Sequence, residues 1–146
     1  MQPVVALSIA AGVVLLAALL GVFWKRTTGR ARDAKGEAFA AGELPGLEAF
    51  AEGATLVQFS TEFCSTCPGT RRYLQQVAAE RSGIAYHDVD LTHRPELASK
   101  LHILQTPTVF VLDHDGRLVS RFGGAPRRAE LTAVLDTLVP TPEYHL

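Results

Sequence analysis

Leu56-Val57-Gln58-Phe59-Ser60-Thr61-Glu62-Phe63-Cys64-Ser65-Thr66-Cys67 leads an apolar run straight into a pair of cysteines, and these are the only two in the 146-residue chain. The apolar run reads as the end of a buried strand, Ala54 to Ser60. The residues that follow, Ser65 to Arg81, read as a helix carrying Tyr73, Leu74, Val77 and Ala78 on one face, with Gly83 as its stop. A strand that delivers two thiols to the first turn of a helix is the layout of a thiol–disulfide redox site.

The chemistry follows from that placement. A free thiol, with a pKa near ~8.5, is mostly protonated at neutral pH and a poor nucleophile. At a helix N-terminus the unpaired N–H groups and the positive end of the dipole favour the thiolate. Cys64 is therefore expected to be the exposed, attacking sulfur, and Cys67, one turn on, the resolving sulfur that closes the disulfide. The hydroxyls of Ser65 and Thr66 have two readings: hydrogen bonds to the thiolate, which would make the pair a stronger oxidant, or plain capping of the helix.

Outward from the pair, the chain alternates element types. Leu47 to Glu52 reads as a short helix ended by Gly53. Ile84 to Asp90 reads as a strand, Pro95 to Leu101 as a helix with Leu97 and Leu101 on one side, and Thr108 to Leu112 as a strand. Asp115-Gly116 marks a hairpin turn into a strand from Leu118 to Phe122. Gly123-Gly124 breaks that strand ahead of a last helix, Arg127 to Leu138, with Leu131, Val134, Leu135 and Leu138 inward. The order β-α-β-α-β-β-α makes the fold class α/β, a mixed central sheet flanked by helices. Gln105-Thr106-Pro107-Thr108 precedes one of these strands, and proline is unusual at the edge of a central strand because it cannot donate to the ladder. A cis bond there would let Thr106 offer backbone hydrogen bonds to an extended peptide beside the disulfide.

These motifs together resemble the thioredoxin family over roughly residues 44 to 140. Leu56 to Cys67 is similar to its active-site strand and loop, Thr106-Pro107-Thr108 to its cis-proline loop, and Asp115-Gly116-Arg117-Leu118 to the hairpin that follows. Gly123 or Gly124 falls where the family carries a glycine near the redox site. The resemblance implies a thioredoxin fold and thiol–disulfide exchange, with Cys64 as nucleophile, Cys67 as resolver, Pro107 as the cis residue, and Thr106 with Pro107 receiving substrate. It implies no cofactor beyond the redox-active Cys64–Cys67 disulfide. The departures from the family pattern are specific. Phe63 stands where many members have tryptophan, Ser65-Thr66 where they have Gly-Pro, and Pro68-Gly69 where a basic residue is common. Gln58 replaces a buried aspartate that helps deprotonate the resolving cysteine, and Glu62 lies nearby at the expected mouth of the site. Pro68 is expected to meet the Cys64 carbonyl one turn back and distort the first helical turn. These changes favour a dedicated partner over general thioredoxin activity.

Residues Val4 to Trp24 form a second unit, with no charge and Ser8 as the one polar residue. About 21 residues at 1.5 Å each span roughly 30 Å, the thickness of a bilayer core. Trp24 ends the run where an interfacial aromatic belongs, and Lys25, Arg26, Arg30, Arg32 and Lys35 follow it. The flanks are the reverse of a secretory signal peptide. The chain is thus expected to divide into a single N-terminal transmembrane helix at 4–24, a basic tether at 25–43 and a thioredoxin-like domain at 44–146. The positive-inside rule puts that domain in the cytoplasm, where redox poise favours a reductase. Tethering points to a membrane protein as the partner whose disulfide or thiol is the substrate.

Other readings are weaker. A formal net charge of −1 gives no reason to expect nucleic-acid binding. Zinc needs about four ligands, there is no second cysteine pair, and His87, His93, His102, His114 and His145 are not paired at ligand spacing. Asp88 and Asp90 share one face of a strand without making an acid/base pair, and Arg127-Arg128 reads as a solvated helix start that could steer an acidic partner. Reversed topology would make the protein an extracytoplasmic disulfide reductase or oxidase. Persulfide transfer would use the same thiolate, and a peptide-binding module without chemistry sits poorly with two intact cysteines.

Overall fold

The computed structural model describes residues 2–34 and 36–139, so Lys35, His145 and the stretch 140–146 of the expected domain lie outside the described residues. The elements run α1 (Gln2–Thr27), β1 (Ala31–Asp33), β2 (Ala54–Ser60), α2 (Cys67–Glu80), β3 (Ile84–Asp90), α3 (Pro95–Lys100), β4 (Thr108–Asp113), β5 (Leu118–Gly123) and α4 (Arg128–Leu138). Five strands form one mixed sheet in the order β1-β5-β4-β2-β3, in which β2 and β3 are parallel and the other neighbours antiparallel.

The central strand β2 is buried at all seven positions, as its unbroken apolar reading requires for a strand covered on both faces. Alternation sends Val57 and Phe59 to one layer, with Phe110, Leu112, Leu44 and Leu101. It sends Leu56 to the other, where Val109, Val111 and Phe122 pack against Leu74 of α2 and Leu131 and Leu135 of α4. The redox loop leaves the sheet at the C-terminal end of β2, between these layers. This is a thioredoxin fold preceded by α1, a 26-residue helix with no buried residue, long and apolar enough to cross a membrane.

Three expectations need correction. Leu47 to Glu52 is not helical. Gly42 and Gly46 take positive φ in tight turns, and the chain there serves to bury Leu44 and Leu47 rather than to build a helix. Residues 25–43 are not simply a tether. Ala31–Asp33 add an edge strand to β5, Ala38 bridges Arg117, and Phe39 is buried in the core. The helix after the cysteines begins at Cys67, not Ser65, so Pro68 falls in its first turn, where the missing N–H costs no helical bond and no distortion follows.

Candidate active site

β2 ends at Ser60, and the chain turns through Thr61 to Phe63 before Cys64. The Cys64 N–H donates to the Thr61 carbonyl at 3.2 Å, and the Cys67 N–H to the Cys64 carbonyl at 3.3 Å. Cys64 and Cys67 are joined as a disulfide, their Cα atoms 5.4 Å apart. The two sulfurs are not equivalent. Cys67, the first residue of α2, is only 2% exposed, whereas Cys64 is half-buried at the surface. An incoming thiolate or disulfide reaches Cys64 first. Phe63, 86% exposed, stands beside it.

Thr66 precedes α2 but its side chain caps no backbone N–H. Its hydroxyl lies 3.8 Å from the Cys64 sulfur, which favours the thiolate-facing reading of that hydroxyl over the capping one. Beneath the disulfide, the fully buried Gln58 donates from Nε2 to the Cys67 carbonyl at 3.0 Å and accepts at Oε1 from the Tyr86 hydroxyl at 3.0 Å. Parallel register pairs Gln58 with Asp88. The Asp88 carboxylate accepts from Ser60 Oγ at 2.9 Å and from Arg71 of α2 at 2.7 Å. Burial raises the Tyr86 phenol above its ordinary pKa, with Asp88 adding to the shift, and Asp88 raises Arg71. The raised phenol is a neutral donor at neutral pH, as its hydrogen bond to Gln58 requires.

The second half of the site comes from the loop before β4. The Thr106–Pro107 peptide is cis, Pro107 is buried, and its carbonyl accepts from the Gly124 N–H at 2.8 Å. Thr106 Oγ1 lies 3.4 Å from Thr61 Oγ1, so the proline loop and the turn before Cys64 are brought together. Leu104, 96% exposed, projects from the same loop.

Other candidates fall elsewhere. Glu62 is exposed, its backbone N–H bonded to Thr92. Asp90, separate from Asp88, accepts from the Thr92 hydroxyl and N–H, which hold its carboxyl below the usual range. His87 Nε2 meets the Pro45 carbonyl at 2.8 Å, and His93, His102 and His114 are exposed and dispersed. Among the described residues the one cluster at ligand spacing is Asp113-His114-Asp115, in the exposed β4–β5 turn, where Asp113 already accepts from the N–H groups of Asp115 and Arg117. Arg127 is no steering charge. Its guanidinium donates to the Lys25 and Arg26 carbonyls at 2.8 and 2.9 Å, capping α1, while Arg128 lies 5.1 Å above the Tyr73 ring. Sequence reasoning missed Tyr86 as Gln58's partner. The alternation that puts it on the face of Asp88 was the available signal.

The sequence model of the family described as Thioredoxin matches residues 47–137. Among solved structures, thioredoxin f2 of Chlamydomonas reinhardtii superposes with a TM-score of 0.53 at 22% identity, over 62% of this chain and 83% of that one. Thioredoxin f from spinach chloroplast (short form) gives 0.53 at 19%, over 60% and 78%. A mutant thioredoxin from Halobacterium salinarum gives 0.53 at 20%, over 62% and 78%. At these identities the likeness concerns the fold. No curated protein matches the chain in sequence.

Proposed function

This chain belongs to the thioredoxin family, and from that premise we propose that it reduces disulfides in a membrane-associated partner protein, anchored by α1 with its redox domain on the cytoplasmic side. The observation that carries the reading is the asymmetry of the disulfide: one sulfur partly exposed after a turn that meets the proline loop at Thr61 and Thr106, the other buried at the start of α2.

In the reduced enzyme the Cys64 thiolate attacks one sulfur of the partner's disulfide. A mixed disulfide forms and the partner's other sulfur leaves as a thiolate, which takes up a proton. Cys67 then loses its proton and attacks Cys64, the Cys64–Cys67 bond forms, and the second partner sulfur departs and is protonated. The partner gains two electrons and two protons, and an external dithiol returns the enzyme to its reduced state. Gln58 cannot accept the Cys67 proton, so it positions the Cys67 carbonyl while solvent takes the proton. Thr106 and Pro107 are assigned the role of holding the substrate backbone across from Cys64.

The membrane assignment rests on the length and apolarity of α1 and on Lys25, Arg26, Arg30 and Arg32 after it. One observation favours a second reading. The Thr66 hydroxyl near Cys64 stabilises the reduced form, a trait of an oxidant, which suits an extracytoplasmic disulfide enzyme of reversed topology. A membrane-impermeant thiol reagent applied to intact cells after mild reduction separates the two. Cys64 protected until lysis supports the cytoplasmic reductase. Labelling in intact cells makes the envelope enzyme correct.

A further inference from the structure

At the foot of α1 lies an open cavity of about 380 Å³ whose wall includes Trp24, Thr28, Arg30, Arg32, Leu104 and Arg121. Three arginines, Arg30, Arg32 and Arg121, line it. Arg32 on β1 and Arg121 on β5 stand directly opposite each other in antiparallel register, and like charges so placed repel. Among the described residues no carboxylate forms an ion pair with Arg30, Arg32 or Arg121. Glu37 attracts Arg121 only through space. Arg121 donates instead to the carbonyl oxygens of Leu101 and His102 and lies 4.8 Å from the centre of the Phe110 ring, which fixes it in the cavity wall. A fixed, partly desolvated cation beside a second cation on the wall of an open cavity is arranged for an anion.

The level of the cavity identifies the anion's source. Trp24 ends the apolar run and is the kind of aromatic residue that seats among lipid headgroups. It also lines the cavity, so on the reading of α1 as a membrane anchor, on which this inference rests, the arginines stand at the depth of the lipid phosphates. We propose that this cavity binds the phosphate of an anionic phospholipid headgroup, with Arg30, Arg32 and Arg121 as its ligands. A phosphate between Arg32 and Arg121 converts a repelling pair into a bridged one. Gln105 and Thr108, on either side of the proline loop, line the same cavity, and Gly29 donates to Gly123 beside the Gly124–Pro107 bond. A bound headgroup therefore holds the substrate-side loop at the bilayer surface and restricts the enzyme to disulfides close to it.

Trp24 is the chain's single tryptophan and so a built-in reporter. The full chain, in micelles of uncharged detergent, is titrated with phosphatidylglycerol, with zwitterionic phosphatidylcholine, and with inorganic phosphate while Trp24 emission is followed. The expected result is a saturable change with phosphatidylglycerol, none with phosphatidylcholine, and saturation by inorganic phosphate only at far higher concentration. Arg30 and Arg32 are exposed, and the double variant Arg30→Gln/Arg32→Gln should bind the anionic lipid about tenfold to thirtyfold more weakly. Arg30→Gln alone, outside the sheet, serves if circular dichroism shows that the double variant is misfolded. Equal responses to the two lipids, undiminished affinity in the variants, or inorganic phosphate saturating alongside phosphatidylglycerol would each overturn the site. Flotation of the same chain with vesicles tests the anchor separately. Failure to float refutes the anchor, whereas flotation without a phosphatidylglycerol response refutes the headgroup site alone.

Discussion

Gln58 does the work of a bolt rather than of an acid. With no exposed surface, it spans from the Cys67 carbonyl to the Tyr86 hydroxyl and ties the start of α2 to β3. Gln58→Asp would bury a carboxyl in the same place, and burial disfavours its charged form, so its folded pKa would rise above the ordinary ~3.9. A group raised on folding contributes fully below its unfolded pKa and loses that contribution as pH rises through the folded value. Loss of the amide bond to the Cys67 carbonyl costs stability at every pH, so the variant's deficit in urea unfolding should be least near pH 4 and grow by about 1–3 kcal/mol more toward pH 8; a deficit independent of pH would contradict this. Thr66→Val removes the hydroxyl 3.8 Å from the Cys64 sulfur. The Cys64 thiol pKa, read from the pH dependence of alkylation in the reduced protein, should rise by about one unit. The cysteines were legible because their chemistry lies in adjacent residues with fixed spacing. The network beneath them was not, because Tyr86 reaches Gln58 only through the parallel register of β2 and β3, which one sequence does not state.

At the scale of elements, the apolar strands and amphipathic helices were read to within a residue or two, because their periods are carried by side chains. Ala31–Asp33 has no such period. It joins the sheet by pairing with β5, with Ala31 its one side chain against the core and Glu130 accepting the Ala31 N–H, and the same charges that suggested a solvated tether hid a strand. Leu47 to Glu52 failed in the opposite sense, an apolar pattern that belongs to a turn: Gly42 donates to the Leu47 carbonyl and Leu47 to that of Leu44, which buries both leucines without a helix. The β5–α4 junction is where glycine is required. Gly124 has φ +96°, and a Cβ there would lie 2.6 Å from Thr28 Cγ2. Gly124→Ala should cost about 1–2 kcal/mol from the left-handed backbone alone, with a further loss from the clash that Thr28→Ser relieves in a double-mutant cycle. Additive losses would show that the two residues do not meet.

For the whole molecule, the consequence is that the apolar helix is joined to the redox domain rather than strung from it. Three residues separate α1 from β1, and Arg127, Glu130 and Gly123 bond to the connection at Lys25, Arg26, Ala31 and Gly29. A truncation that begins at Arg30 keeps β1 and Phe39 but loses the bonds of Gly29, Lys25 and Arg26 to Gly123 and Arg127, and should melt somewhat below the full chain. One that begins at residue 44, the boundary suggested by composition, loses β1 and the buried Phe39 and should be less stable by about 3–5 kcal/mol. Equal melting of the two truncations would return residues 30–43 to the role of a tether. The proposed function depends on attack by Cys64 and resolution by Cys67, and covalent trapping separates the two sulfurs. Reduced full-length Cys67→Ser and Cys64→Ser proteins are mixed with glutathione disulfide, a small substrate that needs no partner recognition, and the adducts are resolved without reductant. A stable mixed disulfide is expected on Cys64 in the Cys67→Ser protein, and little or none in its counterpart. Capture by Cys64→Ser in preference would contradict it, assigning the attack to the buried sulfur.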